Sequence, residues 1–567
     1  MNAELQPWLR RALREGSTSI QKVATYVLLL TSAACSPTGG PQTGTQTNWL
    51  RVCAADKDCD PGAQCLCQTC TQIPGADACS DLPEASIVAS DEDGAIALCG
   101  GSQAAVEELC LIRCDDGTCP SGTSCVAGVC TPARDATLTV SIDTSIRYQS
   151  MLGFGAGLGY IQDEIVSHPR KKALFDAMFK SSGFEVLRLR NQYVAEEDND
   201  LDPVSEIVEA ASDRTGRRPT VLLSSSSPPA SLKENGATFC SGNADECTLN
   251  RGDDGGFNYA GLAEHFVGSL DAYSSAGITI DYLSIQNNPN WIPPTGTSIE
   301  SCLFLPHEGI TTVVVDGTEV EVELPGYSEA LDSVLEAIDD LPSRPKISGP
   351  DTTGAQSSVD YVSELDLTNI DALAHHLYGI DPFNPLADAL QALASAGREN
   401  DIPLFQSEMA GDGLETALLA QESLVDSQSS MYLQTGFVAP AGLAEPDETA
   451  LIGLTDTDFV LQDPYYALKH FAKNIKNGWS RVEAQLDRDS VRVSAWLSAD
   501  GEELAIVLVN PQTVEEVVEL DMDDLAEMEI TRTVFTGVER FASLGTLAPS
   551  DTFTLPASSM VTLYFKK

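Results

Sequence analysis

Positive charge is scarce in this chain: 33 Lys and Arg stand against 84 Asp and Glu, a formal charge of −51. A surface of that sign repels phosphate backbones and anionic head groups over about a Debye length, so nucleic-acid binding is excluded as its main work. Histidine is scarcer still, with six residues and none before His168, which leaves the N-terminal part without an imidazole for a metal. No apolar run approaches the roughly 20 residues that span a bilayer; residues 23–30 come nearest. With 43% hydrophobic residues interleaved among the acids, the chain can nevertheless bury sizeable cores, which excludes disorder as a general description.

What is present divides the chain. Arg10, Arg11, Arg14 and Lys22 precede the apolar run 23–30, and small residues lead to Cys35, the order of an export signal over residues 1–34. Thr31 to Cys35 resembles a bacterial lipoprotein cleavage box, in which Cys35 would be lipidated and would supply the only membrane contact. The expected location is therefore the outer membrane or cell surface, with plain secretion as the alternative. Residues 35–48 are mostly Gly, Pro, Thr and Gln without charge, the composition of a flexible linker.

Of the 16 cysteines, twelve lie between Cys53 and Cys130. Cys59-x5-Cys65-x4-Cys70-Thr is echoed by Cys119-x5-Cys125-x4-Cys130-Thr, with Gly62 and Gly122 at matching places. Residues 49–131 thus read as a small repeated module in which disulfides stand in for a core. Zinc is the rival reading because Cys67 and Cys70 have ligand spacing, but an oxidising context without histidine favours disulfides.

Beyond residue 136 the pattern changes. Residues 137–143 alternate with a period of two, as a strand does, and short apolar runs then alternate with helical segments. The runs are 153–156, 186–189, 220–223, 278–285, 346–348, 370–374, 402–405 and 429–433; helical spacing is plain at 259–273, 327–338, 385–396 and 465–475. Eight strand-helix repeats predict an α/β fold, a (β/α)8 TIM barrel over 151–478. Short alternating strands at 491–497, 504–510 and 560–565 predict an all-β side domain over 479–567, which 137–150 can join.

In such a barrel the residues that meet substrate stand at the C-terminal strand ends. The fourth run leads into Ser284-Ile285-Gln286-Asn287-Asn288-Pro289-Asn290-Trp291, and the seventh into Gln406-Ser407-Glu408. Together with His376-Leu377-Tyr378-Gly379, Gly153-Phe154-Gly155, Ser227-Pro228-Pro229 with Lys233, and Glu300-Ser301-Cys302-Leu303-Phe304, these segments resemble glycoside hydrolase family 30, the clan A retaining glycosidases that include glucosylceramidases and xylanases. The resemblance spans residues 137–567. It implies Glu408 as nucleophile, Asn287 as a partner of the sugar or of the nucleophile, and Trp291, His376 and Tyr378 as cleft residues; Arg188 and Arg190, alternating onto one face of a strand, are substrate-site candidates of which one or the other is expected to pair with the catalytic carboxylates. It also implies a carbohydrate, xylan-like or glucan-like, as substrate or ligand.

Two departures bear on chemistry. Asn288 occupies the position of the general acid/base glutamate, and an amide cannot deliver a proton. Ser226 and Ser231 stand where the family has tryptophans, so a flat face for sugar stacking is missing. Asp351, Asp253, Asp254, Glu300 and Glu308 are the carboxyls near enough in sequence to serve as a relocated acid. Between Leu433 and Tyr466 there is no Lys or Arg to read an anionic sugar substituent in the loop after the eighth strand. A retaining mechanism needs only carboxylates and water, so no cofactor is expected. No metal is expected either, because His375 and His376, adjacent on a strand, face opposite ways. Cys240 and Cys247 enclose a short loop and are expected to pair, leaving Cys302 alone. The competing readings are a glycosidase with an impaired or relocated acid, a non-catalytic carbohydrate-binding or adhesion protein on the same scaffold, and an interaction stalk built on the cysteine module.

Overall fold

The computed structural model describes residues 137–566 apart from short stretches, the longest being 380–386, together with pieces between 64 and 132. The expected leader, Cys35 and the linker lie outside the described residues, as does most of the cysteine module.

Eight parallel strands close into a barrel. They are β1 (Gly153–Gly157), β2 (Val186–Arg190), β3 (Thr220–Ser224), β4 (Tyr282–Ser284), β5 (Lys346–Thr352), β6 (Ala372–His376), β7 (Leu404–Met409) and β8 (Ser429–Gln434). Each pairs with its neighbours in sequence, and β8 returns to β1, so no strand edge is left open. Val186, Leu222, Tyr282, Ala374, Phe405 and Met431 pack together as one buried cluster of strand side chains. Helices such as Asp202–Thr215, Tyr259–Ser275 and Tyr327–Ile338 bury their apolar faces in the larger cluster around the strands. The approach of β1 to β2 requires glycine: a Cβ on Gly155 would lie 1.9 Å from the Val186 carbonyl oxygen.

Three boundaries depart from the sequence reading, each for a local reason. β4 is only three residues long, because the chain leaves the ladder after Ser284 and turns through Asn288 in the left-handed region, φ 51°. β7 extends to Met409, which places Glu408 inside the strand, opposite His376 on β6. The final helix, Asp463–Ala472, begins earlier than expected because Pro464 sits in its first turn, where proline is tolerated. An antiparallel hairpin, Gly309–Val315 with Thr318–Leu324, is inserted after β4 and was absent from the sequence reading.

The side sheet has nine strands. Strand Leu138–Ser150 lies inside it, antiparallel to Ser480–Leu486 and parallel to Glu516–Asp521. One link between barrel and sheet is His470 on the final helix, whose ring nitrogens each lie 2.9 Å from a threonine hydroxyl, Thr562 at Nδ1 and Thr533 at Nε2.

Disulfides join Cys119 to Cys130, with S–S 2.07 Å, and Cys240 to Cys247. Cys114 brings a third sulfur close to the first pair, but two of these three sulfurs are bonded to each other, which removes them as zinc ligands. Cys302 is the free cysteine among the described residues, and it is buried.

Candidate active site

Arg188 is the centre of the site. Because residues two apart on a strand share a face, Arg188 and Arg190 both project from β2 to the same side, one rung apart. Arg188 Nη1 donates to Glu408 Oε2, while Nη2 reaches Asn287 Oδ1 at 2.6 Å, Ser224 Oγ at 3.0 Å and Asp351 Oδ2 at 3.1 Å. Four strand ends are thereby tied to one guanidinium. The other oxygen of Glu408, Oε1, accepts the Tyr378 hydroxyl at 2.8 Å, and Thr435 Oγ1 lies 2.9 Å from that same hydroxyl.

Asp351 underlies this arrangement. It is fully buried at the end of β5 and accepts from Ser284 Oγ at 2.8 Å and from Ser407 Oγ, with His376 Nε2 at 3.2 Å. Burial pushes its carboxyl up, but Arg188, followed by His376 and the hydrogen bonds, outweighs burial and holds it far below the ordinary carboxylate range. Glu408 follows the same balance: burial raises it, while Arg188, His376 and Tyr378 lower it further than burial and Asp351 raise it. Both are ionised at neutral pH. Burial and the charge of Glu408 push the Tyr378 phenol well above its ordinary value, so it remains a donor.

The residue in the acid/base position is placed differently. Asn288 donates its backbone N–H to the Asp351 carbonyl at 2.9 Å, and its side-chain Oδ1 is buried without a partner. Asn290 is occupied structurally, since Nδ2 donates to Thr353 Oγ1 at 2.9 Å and Oδ1 accepts the Thr353 N–H at 3.1 Å. Trp291 is half-buried in the loop beyond β4, its carbonyl accepting from Ser301 Oγ at 2.8 Å.

Arg190 does not join Glu408. Higher on β2, it forms a two-pronged pair with Glu300, through Nε at 2.7 Å and through Nη2, because the loop after β4 folds back over the rim. Tyr160, which sequence reasoning missed, donates to the same carboxylate, and the Arg190 guanidinium lies 4.2 Å from its ring centre. Tyr160 is 53% exposed, so part of a fixed aromatic surface is left open to solvent at the barrel mouth. Its signal in the sequence was only a lone tyrosine shortly after β1.

The five alternative carboxyls are engaged by other groups or lie exposed to solvent. Asp351 is ionised and enclosed, and Glu300 has both oxygens committed to Arg190 and Tyr160. Glu308 is exposed and holds Tyr259 at 2.8 Å; Asp253 and Asp254 lie exposed on a loop where Asp254 accepts the Gly256 N–H at 3.1 Å. Lys233 is buried and donates to the Ser301 carbonyl, a bracing role beneath the loop that carries Glu300.

The closed (β/α)8 barrel with a β side sheet is a scaffold like that of glycoside hydrolases, and it carries an ionised glutamate near the end of β7 between an arginine and a tyrosine. Solved structures of family 30 xylanases share this fold. The catalytic domain of GH30 xylanase C from Talaromyces cellulolyticus aligns with a TM-score of 0.59 at 17% identity, covering 76% of this chain and 100% of that one. A conserved exported protein from Bacteroides fragilis gives 0.61 at 14% identity, covering 75% and 100%. An endo-β1,6-glucanase gives 0.54 at 14%, covering 77% and 96%. No family model and no curated protein sequence matches the chain.

Proposed function

We propose that this chain is an exported carbohydrate-active protein in which Glu408 attacks the anomeric carbon of a β-linked glycoside, of xylan or glucan type, with retention and without a proton donor at position 288. The observation that carries this reading is the Arg188–Glu408–Tyr378 group: an ionised carboxylate at a strand end, with one oxygen held by a guanidinium and the other by a phenol. In the first step a Glu408 oxygen forms the bond to the anomeric carbon while the glycosidic C–O bond breaks. The Asn288 amide can hold the departing oxygen by hydrogen bonding but cannot protonate it. In the second step water attacks without a general base, so the glycosyl-enzyme persists. Loss of such assistance forfeits about 10²–10⁴ in rate.

The test is turnover of aryl β-xylosides and β-glucosides whose phenol is acidic enough to leave unprotonated, measured on the full chain with and without azide. We expect an initial burst, azide acceleration with formation of a glycosyl azide, and loss of both in Glu408→Ala. Asn288→Glu is expected to raise turnover of poor leaving groups by about 10²-fold or more. The gain is tempered by roughly 1–2 kcal/mol for placing Glu in left-handed backbone. Turnover that survives Glu408→Ala would refute the assignment.

A second reading is a non-catalytic sugar-binding protein, and the unpartnered Oδ1 of Asn288 favours it. A buried acceptor lacking a donor is satisfied when a sugar hydroxyl arrives. Sugar binding without bond cleavage in either the native chain or Asn288→Glu selects it.

The same reading assigns residues 1–34 to export and Cys35 to a lipid anchor. Residues 35–48 and 49–131 would form a linker and a stapled module in front of a barrel over 151–478 and a side domain over 137–150 and 479–567. The Cys119–Cys130 and Cys240–Cys247 bonds suit an oxidising compartment. Mass spectrometry of the membrane fraction, seeking an acylated peptide that begins at Cys35, tests the anchor.

A further inference from the structure

A cavity of about 810 Å3 opens at the end of the barrel opposite Glu408, where the first residues of β4, β5 and β7 face the strand Leu138–Ser150. Arg147, Lys346 and Arg398 line it. In a chain where 84 acids face 33 bases, most arginines on the barrel find a carboxylate, yet these three have no ion pair among the described residues. The polar neighbour of Arg398 is Ser395 Oγ at 3.0 Å, and Lys346 Nζ lies 5.8 Å from the Tyr282 ring centre.

A fourth cation stands behind the wall. Arg481 is 6% exposed, stacks its guanidinium 3.7 Å from the ring centre of Tyr148 and donates to Gln149 Oε1 at 3.1 Å. Tyr148 and Gln149 both line the cavity. Asp401 is the carboxylate in the lining; behind the wall Glu483 holds the Tyr148 hydroxyl and with Asp426 acts on Arg481, while Asp281 and Asp371 lie near Tyr282.

Singly, each exposed cation is an ordinary solvated side chain. Together, around one concavity with Leu152 and Leu404 in its wall, they set three cations without an ion pair among the described residues against one lining carboxylate. Like charges so gathered repel, and an anion with several charges relieves that repulsion. The volume lies within the roughly 300–1,000 Å3 of small-molecule sites and exceeds what one inorganic anion fills.

We propose that this cavity binds a compact polycarboxylate, the chemistry shared by short uronate-bearing oligosaccharides and free tricarboxylic acids. The proposal is independent of catalysis at Glu408. It also stands apart from the loop after β8, which carries no cation between Leu433 and Tyr466.

The test is calorimetric titration of the full chain with trigalacturonate, citrate and neutral xylotriose, beside Arg147→Gln, Lys346→Gln, Arg398→Gln and, as an exposed control away from the cavity, Lys473→Gln. The expected result is binding of trigalacturonate, weakened about tenfold by each of the three cavity substitutions and unchanged in Lys473→Gln. Citrate binding with the same sensitivity identifies a free acid as a ligand; trigalacturonate alone identifies a glycan. Binding of neither anion, or binding indifferent to all three substitutions, overturns the proposal. Capture by anionic lipid vesicles with neither small anion bound also overturns it, in favour of a membrane-facing surface.

Discussion

Replacing Arg188 by Met isolates the electrostatic core of the site. Arg188, Asp351 and Glu408 have side chains exposed by only 11%, 0% and 12%, so screening by solvent is slight. Removing the cation leaves two carboxylates enclosed together, and breaking a buried pair from one side costs about 3–5 kcal/mol. At about 2.1 cal/mol/K of unfolding entropy per residue, a body of this size would lose roughly 3–6 °C in Tm at pH 7.5. The sign with pH follows from the depressed carboxyls. In the native protein they stay ionised below the ordinary range of about 4, so their contribution is present above it and is lost as pH falls through their lowered values. In the variant the largest opposing charge is gone and burial weighs more, so both carboxyls rise, and protonation removes the penalty as acid is added. The gap in Tm between native and Arg188→Met should therefore shrink from pH 7.5 to pH 4.5, by at least half. Thermal unfolding followed by circular dichroism at the two pH values measures it. An undiminished gap at pH 4.5 would show that Arg188 acts through packing and that the carboxyls are not governed by it.

Two further expectations concern other parts of the molecule. Tyr160→Ala should weaken binding of a β-linked oligosaccharide about fivefold while Tyr160→Trp preserves it, measured by calorimetry; equal loss in both would remove Tyr160 as a stacking surface. His470, pushed down to about 3 by burial with Lys469 adding, stays neutral when folded, so acid below about 6.5 protonates the unfolded chain first and erodes stability. His470→Ala should be less stable than native at pH 7.5 and lose less on acidification to pH 5, and parallel pH curves for the two proteins would refute this.

The barrel was legible because parallel strands covered on both faces read as continuous apolar runs, as Val221, Leu222 and Leu223 do in β3. The inserted hairpin was not, since its Thr318–Leu324 strand alternates glutamate with valine between two helical stretches and has no counterpart in a strand-helix repeat. At the site, Glu408 and Asn288 could be placed from motif order, and their surroundings could not. Asp351 looked like one loop acid among five, whereas its part is set by donors from β2, β3, β4, β6 and β7 that meet only after closure. Arg190 gave no sign of its partner because Glu300 lies 110 residues on, in a loop whose path depends on the fold.

The placement of Leu138–Ser150 inside the side sheet has a consequence for synthesis. Its contact from Tyr148 to Glu483 joins positions 335 residues apart. At about 5–20 residues per second, translation separates the two by roughly a quarter of a minute to a little over a minute. During that interval the first strand of the sheet has emerged, with unpaired amides and carbonyls, and neither flanking strand has yet been made. A nascent chain built this way has to be kept from pairing with its neighbours until its last hundred residues arrive, so a holding chaperone is expected to raise the yield of the full chain more than that of a rearranged chain, 151–567 followed directly by 137–150.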